Sequence, residues 1–486
     1  MKLHTMKHKT FLKNVVVISA GGFLAKAIGA LYRIPLMGSL GGYGMGLYQM
    51  AYPLFCLLLT FSSAGIPSAF SRIIASETAR SSETRSTLKT TAWLFFSVGL
   101  GGTALMCILA PVMANAQGDG NLIACYFSLA PAVALVAVLA VLRGYFQGKN
   151  DMVPTALSEI VEQLTKVALG LYFATRYQGT VRAVTGTLFA VTMSEVAALV
   201  FLFVRLSKQE SRTCFLRVKK TNALTVFSNV LPVMVAAAIL PLSQTVDSIL
   251  IVRLMPCARS RAVSLYGLFS GGAVSLINLP ATVCYGLVAA AVPAISARFA
   301  RGDEEGGRNS AIFALLVTLA LAGVCAVGLF AFARTAVSLL YPSLTEEDAN
   351  TLVSLIRLMS VSAVTLAGVD TLSACLTGMG RAKKAALSML IAVALKTALQ
   401  FSLIPTLAAT GAAIAANACY MIAFFLDLFY TVKKDRRKQH DNDYRTGNGK
   451  RRLDAQGGKC LEGGRQSIRE KFVARIRRAQ RGRDRV

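Results

Sequence analysis

The sequence predicts an all-α polytopic membrane protein with about 12 transmembrane helices, arranged as two parallel-repeat six-helix bundles around a central cavity. Three observations lead there. Apolar runs recur from Phe11 to Thr431, and a run of about 20 residues is what a helix needs to cross a bilayer core. Lys and Arg accumulate after every second run. Short motifs from the first half return in the second at a nearly constant spacing.

The apolar runs come first because composition excludes the soluble classes. Of 486 residues 54% are hydrophobic and only 16% charged, more apolar surface than soluble cores of this size can hide. Backbone polar groups must be satisfied inside the hydrocarbon slab, so the spans are helices, and the short alternating strands of a β-barrel are missing. The expected spans are 11–32, 43–69, 90–114, 121–142, 154–175, 183–204, 225–251, 265–291, 311–333, 350–376, 385–405 and 407–431. The first run is read as a retained span, since Lys26 and Arg33 lie in or just after it and no small-residue cleavage site follows.

The basic residues set the orientation. One side collects 22 of them, among them Lys9, Lys13, Arg72, Lys89, Arg143, Arg205, Lys219, Arg298 and Lys383. The other side holds seven: Arg33, Arg176, Arg182, Arg253, Arg259, Arg261 and Arg334. The positive-inside rule places both termini in the cytoplasm. The net charge of +28 therefore describes a membrane topology, and nucleic acid is not expected as a partner because no binding fold or aromatic platform accompanies the charge.

The repeat defines the domains. Ile66-Pro67-Ser68-Ala69-Phe70-Ser71-Arg72 returns as Val292-Pro293-Ala294-Ile295-Ser296-Ala297-Arg298, an offset of 226. Gln147-Gly148 before Thr155-Ala156-Leu157 returns as Thr377-Gly378 before Ala385-Ala386-Leu387, an offset of 230. The expected organisation is an N-terminal bundle 1–206, a basic cytoplasmic linker 207–224, a C-terminal bundle 225–432 and a basic tail 433–486. Internal repeats of this kind are common in transporters. The tail is expected to be solvated and attracted to anionic membrane lipids.

Ionisable residues at bilayer depth usually face a cavity or each other. Within the spans they are Lys26, Lys166, Arg357 and Lys396, with Glu159, Glu162, Glu195, Asp247, Asp370 and Asp427. Glu159, Glu162 and Lys166 share one helical face, and Glu162 with Lys166 is a favourable i, i+4 pair. Such a face suits a cavity that binds a headgroup or carries a proton; a structural ion pair between packed helices uses the same residues. Lys396 has no local partner, which favours a cavity position. Lys26 and Arg33 lie two turns apart on one face, where Arg can grip paired phosphate oxygens and Lys acts as a point charge. Arg33 is equally placed to snorkel to the interface. Asp247 and Asp370 are the candidates for coupling a proton or cation. Asp427 is expected at the interface. The three histidines are terminal and the 10 cysteines scattered, so no metal, cofactor or catalytic constellation is indicated and an enzyme is not expected.

Several ordered motifs resemble one family. They are Gly29-Ala30-Leu31-Tyr32-Arg33-Ile34-Pro35-Leu36, Gly44-Met45-Gly46-Leu47-Tyr48-Gln49-Met50, Ser62-Ser63-Ala64-Gly65-Ile66-Pro67, Arg143-Gly144-Tyr145-Phe146-Gln147-Gly148 and Asn278-Leu279-Pro280. They are similar to the polysaccharide-exporter branch of the MOP superfamily, which includes MurJ-type lipid II flippases and stage V sporulation proteins. The resemblance runs from about Lys9 to Tyr430. It implies a bacterial cell-membrane flippase that moves undecaprenyl-pyrophosphate-linked saccharide from the inner to the outer leaflet, with cell-wall synthesis proteins as possible partners. Relatives of this type commonly carry two further C-terminal spans, whereas here the chain beyond Tyr430 is polar and basic. The alternative within the superfamily is a MATE-like exporter of small organic cations, which calls for an acidic cavity. An anionic substrate calls for a basic one, and Lys26, Arg33, Lys166 and Lys396 favour it.

Overall fold

The structure is a computed structural model that describes residues 2–79, 84–179, 181–210 and 223–433. The basic tail and most of the basic link, residues 211–222, lie outside the described residues. Residues up to Thr431 form one compact unit. It is all helical among the described residues: α1 Lys2–Ser63, α2 Ile66–Ala79, α3 Thr84–Gln117, α4 Leu122–Gly148, α5 Val153–Arg176, α6 Val181–Glu210 and α7 Ala223–Leu254. Then follow α8 Arg259–Tyr266, a π-helical segment Gly267–Ala273, α9 Val274–Ala300, α10 Glu304–Ala331, α11 Ala333–Leu340, α12 Glu346–Gly378 and α13 Ala382–Val432.

The expected spans map onto these helices with physical breaks where the reading put its boundaries. Among the described residues, nine helical stretches are long and apolar enough to cross a membrane. The first and last each hold two crossings. Gly41 breaks α1 with φ of 68°, a conformation glycine adopts without steric cost. Ala408 breaks α13 with φ of 49°. The remaining crossing is α5, whose Glu159, Glu162 and Lys166 make it less apolar than its neighbours. About 12 crossings result.

Large side chains on α3 and α10 point outward: Ile108 is 68% exposed and Val324 is 74% exposed. In water each square ångström of such surface costs about 25 cal/mol, so these faces belong against lipid. The interior is closed by small residues and aromatics. A Cβ at Gly144 would sit 3.0 Å from the backbone of Pro67, and one at Gly148 would press on Ile74 and Ser71. In the second half Ser296 Oγ donates to the Gly378 carbonyl at 3.0 Å. The two repeated motifs therefore meet each other in both halves, which is the tertiary reason they recur together.

Helices of the first half meet those of the second tightly at one end. Gly42 and Gly46 of α1 cross Val263, Ser264 and Gly267 so closely that any side chain would collide. Arg253 at the end of α7 donates to the carbonyls of Ala116 at 2.5 Å and Asn115 at 2.9 Å, capping α3. Arg261 pairs with Glu347 at 2.7 Å and with Asp348, holding the start of α12. Gln117 donates to Met50 O and to Ser248 Oγ at 2.8 Å. This end of the molecule is sealed.

Candidate functional site

Below the seal lies a cavity of about 200 Å³, walled by α1, α7, the α8–π–α9 helix and α13. Arg33, Asp247 and Lys396 are its charged lining residues; Gln49, Ser243, Gln244 and Gln400 add amides and a hydroxyl. The π segment shapes one wall. Its Ser270 carbonyl accepts from Gln49 Nε2 at 3.1 Å.

Lys396 and Asp247 are the centre of this wall. Lys396 Nζ donates to Asp247 Oδ2 at 2.6 Å and to Ser243 Oγ at 2.7 Å. Gln400, one turn further along α13, donates from Nε2 to Asp247 Oδ1 at 2.9 Å. Lys396 has no partner nearby in sequence, yet α7 brings one from 149 residues away. A proposed substrate group and a proposed coupling group are thus one ion pair.

Arg33 faces them from α1. It donates weakly to Ser275 Oγ at 3.4 Å and has no carboxylate partner among the described residues. Arg33 is half-buried in the cavity wall, not splayed to the interface. Lys166 of α5 is an electrostatic neighbour of Arg33, and makes no direct hydrogen bond among the described residues.

The other candidates gather on the neighbouring face of α1. Gly21 lets α5 approach until Ala156 packs on the α1 backbone, and Glu159, one turn on, lies beside Lys26. Asp370 of α12 is the other electrostatic neighbour of Lys26. Lys26 and Asp370 are both exposed although each lies well inside a long helix. Lys26 is 15 positions before Gly41, about 22 Å down the helix from the seal at 1.5 Å per residue.

Glu162 differs from the local expectation. Its partner is Arg143 of α4 at 2.8 Å, not Lys166. Arg143 also donates to Ser158 Oγ at 3.0 Å. α4 continues past Arg143 to Gly148, so this residue belongs to the buried polar network and not to a loop. Glu195 of α6 joins from the side, 5% exposed, with its Oε2 lacking a hydrogen-bond partner among the described residues. Sequence alone places Arg143 just past the span 121–142; for Glu195 the signal was an acid in an apolar run. Asp427 is another correction: it is buried, not interfacial, and accepts from Ser373 and Ser388.

A multi-pass helical chain with a polar cavity beneath a tightly packed end has the build of a membrane transporter. Comparison with known proteins gives the particular lineage. A signature described as polysaccharide biosynthesis protein matches residues 11–299, and the chain belongs to that family. It is 30% identical to stage V sporulation protein B of Bacillus subtilis (strain 168), over 84% of this chain and 81% of the relative. It is 24% identical to the lipid II flippase MurJ of the same organism, over 87% and 82%. Its fold is similar to a multidrug resistance MATE family transporter of the MOP superfamily solved facing inward, with a TM-score of 0.69 at 15% identity, covering 84% of this chain and 93% of the other.

Proposed function

We propose that this chain is a flippase for lipid-linked saccharide, carrying an undecaprenyl-pyrophosphate-linked sugar from the inner to the outer leaflet by alternating access. The observation that carries the reading is Arg33: a guanidinium lining the cavity without a carboxylate partner among the described residues, opposite Lys396 and near Lys166. A buried cation without a counter-ion is costly, and the cost falls when an anion arrives. Paired phosphate oxygens suit a guanidinium because its planar fork can grip both. The cavity lining carries two cations against one carboxylate, the polarity an anionic headgroup requires and an organic cation opposes.

In this reading residues 1–206 and 225–432 are the two bundles, 207–224 the link between them, and both termini are cytoplasmic. The seal closes the outer side, and the exposed Lys26 and Asp370 face the inner-leaflet end of the route. Glu159, Glu162 and Lys166 line the N-terminal wall of the route, and Asp247 and Asp370 serve coupling. The basic tail meets anionic lipids on the cytoplasmic surface, beside cell-wall synthesis proteins.

The test is translocation of a fluorescent undecaprenyl-pyrophosphate-linked disaccharide in proteoliposomes, read as loss of signal to an impermeant quencher. The wild-type chain accelerates exchange, and the Lys26→Ala, Arg33→Ala, Lys396→Ala triple variant, normally inserted, does not. Export of ethidium by the wild type, with exchange of the lipid unchanged, overturns the reading in favour of a cation exporter.

A further inference from the structure

The Lys396–Asp247 pair sits beside an amide that can meet Asp247 in either of its charge states. Lys396 has three N–H donors and places two, on Asp247 and Ser243. Gln400 gives its amide N–H to Asp247 while its own Oε1 is buried and lacks a partner among the described residues. An ionised Asp247 only accepts, so it holds the amide in that orientation. A protonated Asp247 becomes a donor. The Gln400 amide, turned over, then accepts a hydrogen bond from that O–H through Oε1, so the Asp247–Gln400 contact persists in either charge state.

The second charge state needs a reason for Lys396 to leave. That reason is the rest of the cavity, which contains Arg33 on the opposite wall and room for a phosphate-sized group. An anion entering there is drawn to both cations, and Lys396 cannot serve it fully while held on Asp247. We propose that Asp247 is a resident counter-anion: an anionic group entering the cavity takes Lys396 from it, and the released carboxylate takes up one proton from water, so that anion and proton occupy the site together. Lys396 keeps its own proton throughout, and no bond other than the O–H of Asp247 forms.

Asp247 is suited to this exchange by its surroundings. From α13 it is faced by Lys396, Cys419 and Tyr420, and from α8 by Tyr266. From α1, Arg33, Tyr52 and Cys56 line the same cavity. α3 meets α7 one residue on through Gln117 and Ser248, and α2 meets it near Met234, toward the opposite end. Among these groups Asp247 is the one carboxylate, so once Lys396 turns away the remaining positive charge at hand is Arg33, which the anion holds. A carboxylate buried without a partner is neutralised by a proton instead of staying charged.

The inference rests on the flippase reading for the nature of the anion, and the experiment separates the two. Full-length protein in detergent is titrated with farnesyl pyrophosphate, a short prenyl pyrophosphate, with proton uptake followed by a pH indicator in weak buffer. The wild type binds more tightly as pH falls from about 8 to about 6 and takes up one proton more per ligand than Asp247→Asn does. The ligand's own titration is common to both proteins. Asp247→Asn binds about tenfold more tightly than wild type at the higher pH, with a flatter profile. Lys396→Met, still folded by thermal melt, loses most of the affinity and the extra proton.

Weaker binding by Asp247→Asn, or an unchanged pH profile, overturns the exchange while leaving the substrate reading intact. So does a strengthening of wild-type binding by sodium at fixed pH without the extra proton. No binding of the probe by the wild type overturns both. Binding that is insensitive to Arg33→Ala but shows the Asp247-dependent proton sinks the substrate reading and keeps the exchange.

Discussion

At the residue scale the cavity depends on which charge meets which. Arg33 keeps its guanidinium available by resting on a serine hydroxyl, a partner too weak to neutralise it. Replacing it with Ala is expected to lower lipid translocation at least about tenfold with normal membrane levels, and Arg33→Lys to restore only part, because the bidentate fork is lost. A fully active Arg33→Lys would show that only the charge matters. Lys396→Met leaves Asp247 without its cation, so the carboxylate must be protonated to stay buried, a loss of up to about 3–5 kcal/mol for a buried pair broken from one side. It should lower the melting temperature in detergent. Lys396→Met with Asp247→Asn together should recover most of that loss, since no unpaired charge remains; a double variant no more stable than the single would remove the pair from the stability account. Glu195 is readable at this scale too. It was recognisable as an acid in an apolar run, but its orphaned oxygen and its approach to Arg143 and Glu162 come from three helices meeting.

At the element scale, glycines decide how near two helices come. Gly42 and Gly46 on α1 and Gly267 on the π segment leave room for backbone against backbone, where a side chain would collide. Gly46→Leu is therefore expected to pry the sealed end apart and favour the opposite conformation. With Gln244→Cys as a cavity reporter in a chain lacking Cys257, an impermeant maleimide added outside intact cells should react several-fold faster in the Gly46→Leu background. Unchanged reactivity would mean that the crossing is not the gate. The same logic applies to α1 and α5, where Gly21 and Gly170 admit Ala156 and Tyr32. These glycines are docking points, and the chain breaks instead at Gly41 and Gly65, whose φ values are positive.

At the scale of the whole molecule, orientation is the property that function requires most. Cys257 sits exposed in the short loop after α7, at the sealed end. In intact cells it should react with a membrane-impermeant maleimide, as should a cysteine at Gly120 in a variant lacking Cys257. Cysteines at Arg301 or Ser211 should react only after permeabilisation. Labelling of Ser211→Cys from outside would put the link between the halves on the wrong side and discard the parallel-repeat scheme. Deleting the residues after Arg445 is expected to leave insertion and most translocation intact, because no apolar run is lost. Abolished translocation at normal protein levels would make the tail a functional element.

What the sequence determined by itself was the class and its grammar. Apolar length limits the chain to helices that cross a membrane, and this needs no partner, since each span satisfies its own backbone. The motifs around Arg33, Gly46, Gly65 and Arg143 were enough to place the chain in its family before any coordinates. Helical periodicity also put Lys26 with Arg33, and Glu159 with Glu162, on shared faces. Periodicity ends at the helix surface, and pairing across helices was left to the tertiary structure. Glu162 looked toward Lys166 because four residues separate them, yet Arg143 arrives from another helix with a better-placed guanidinium. Lys396 looked solitary because its counter-ion lies 149 residues away on α7. Inside a membrane a charge takes whichever opposite charge the packing delivers, because water is not there to take its place. That delivery is a property of the folded chain, and it is what joined Lys396, proposed to bind substrate, and Asp247, proposed for coupling, into one site.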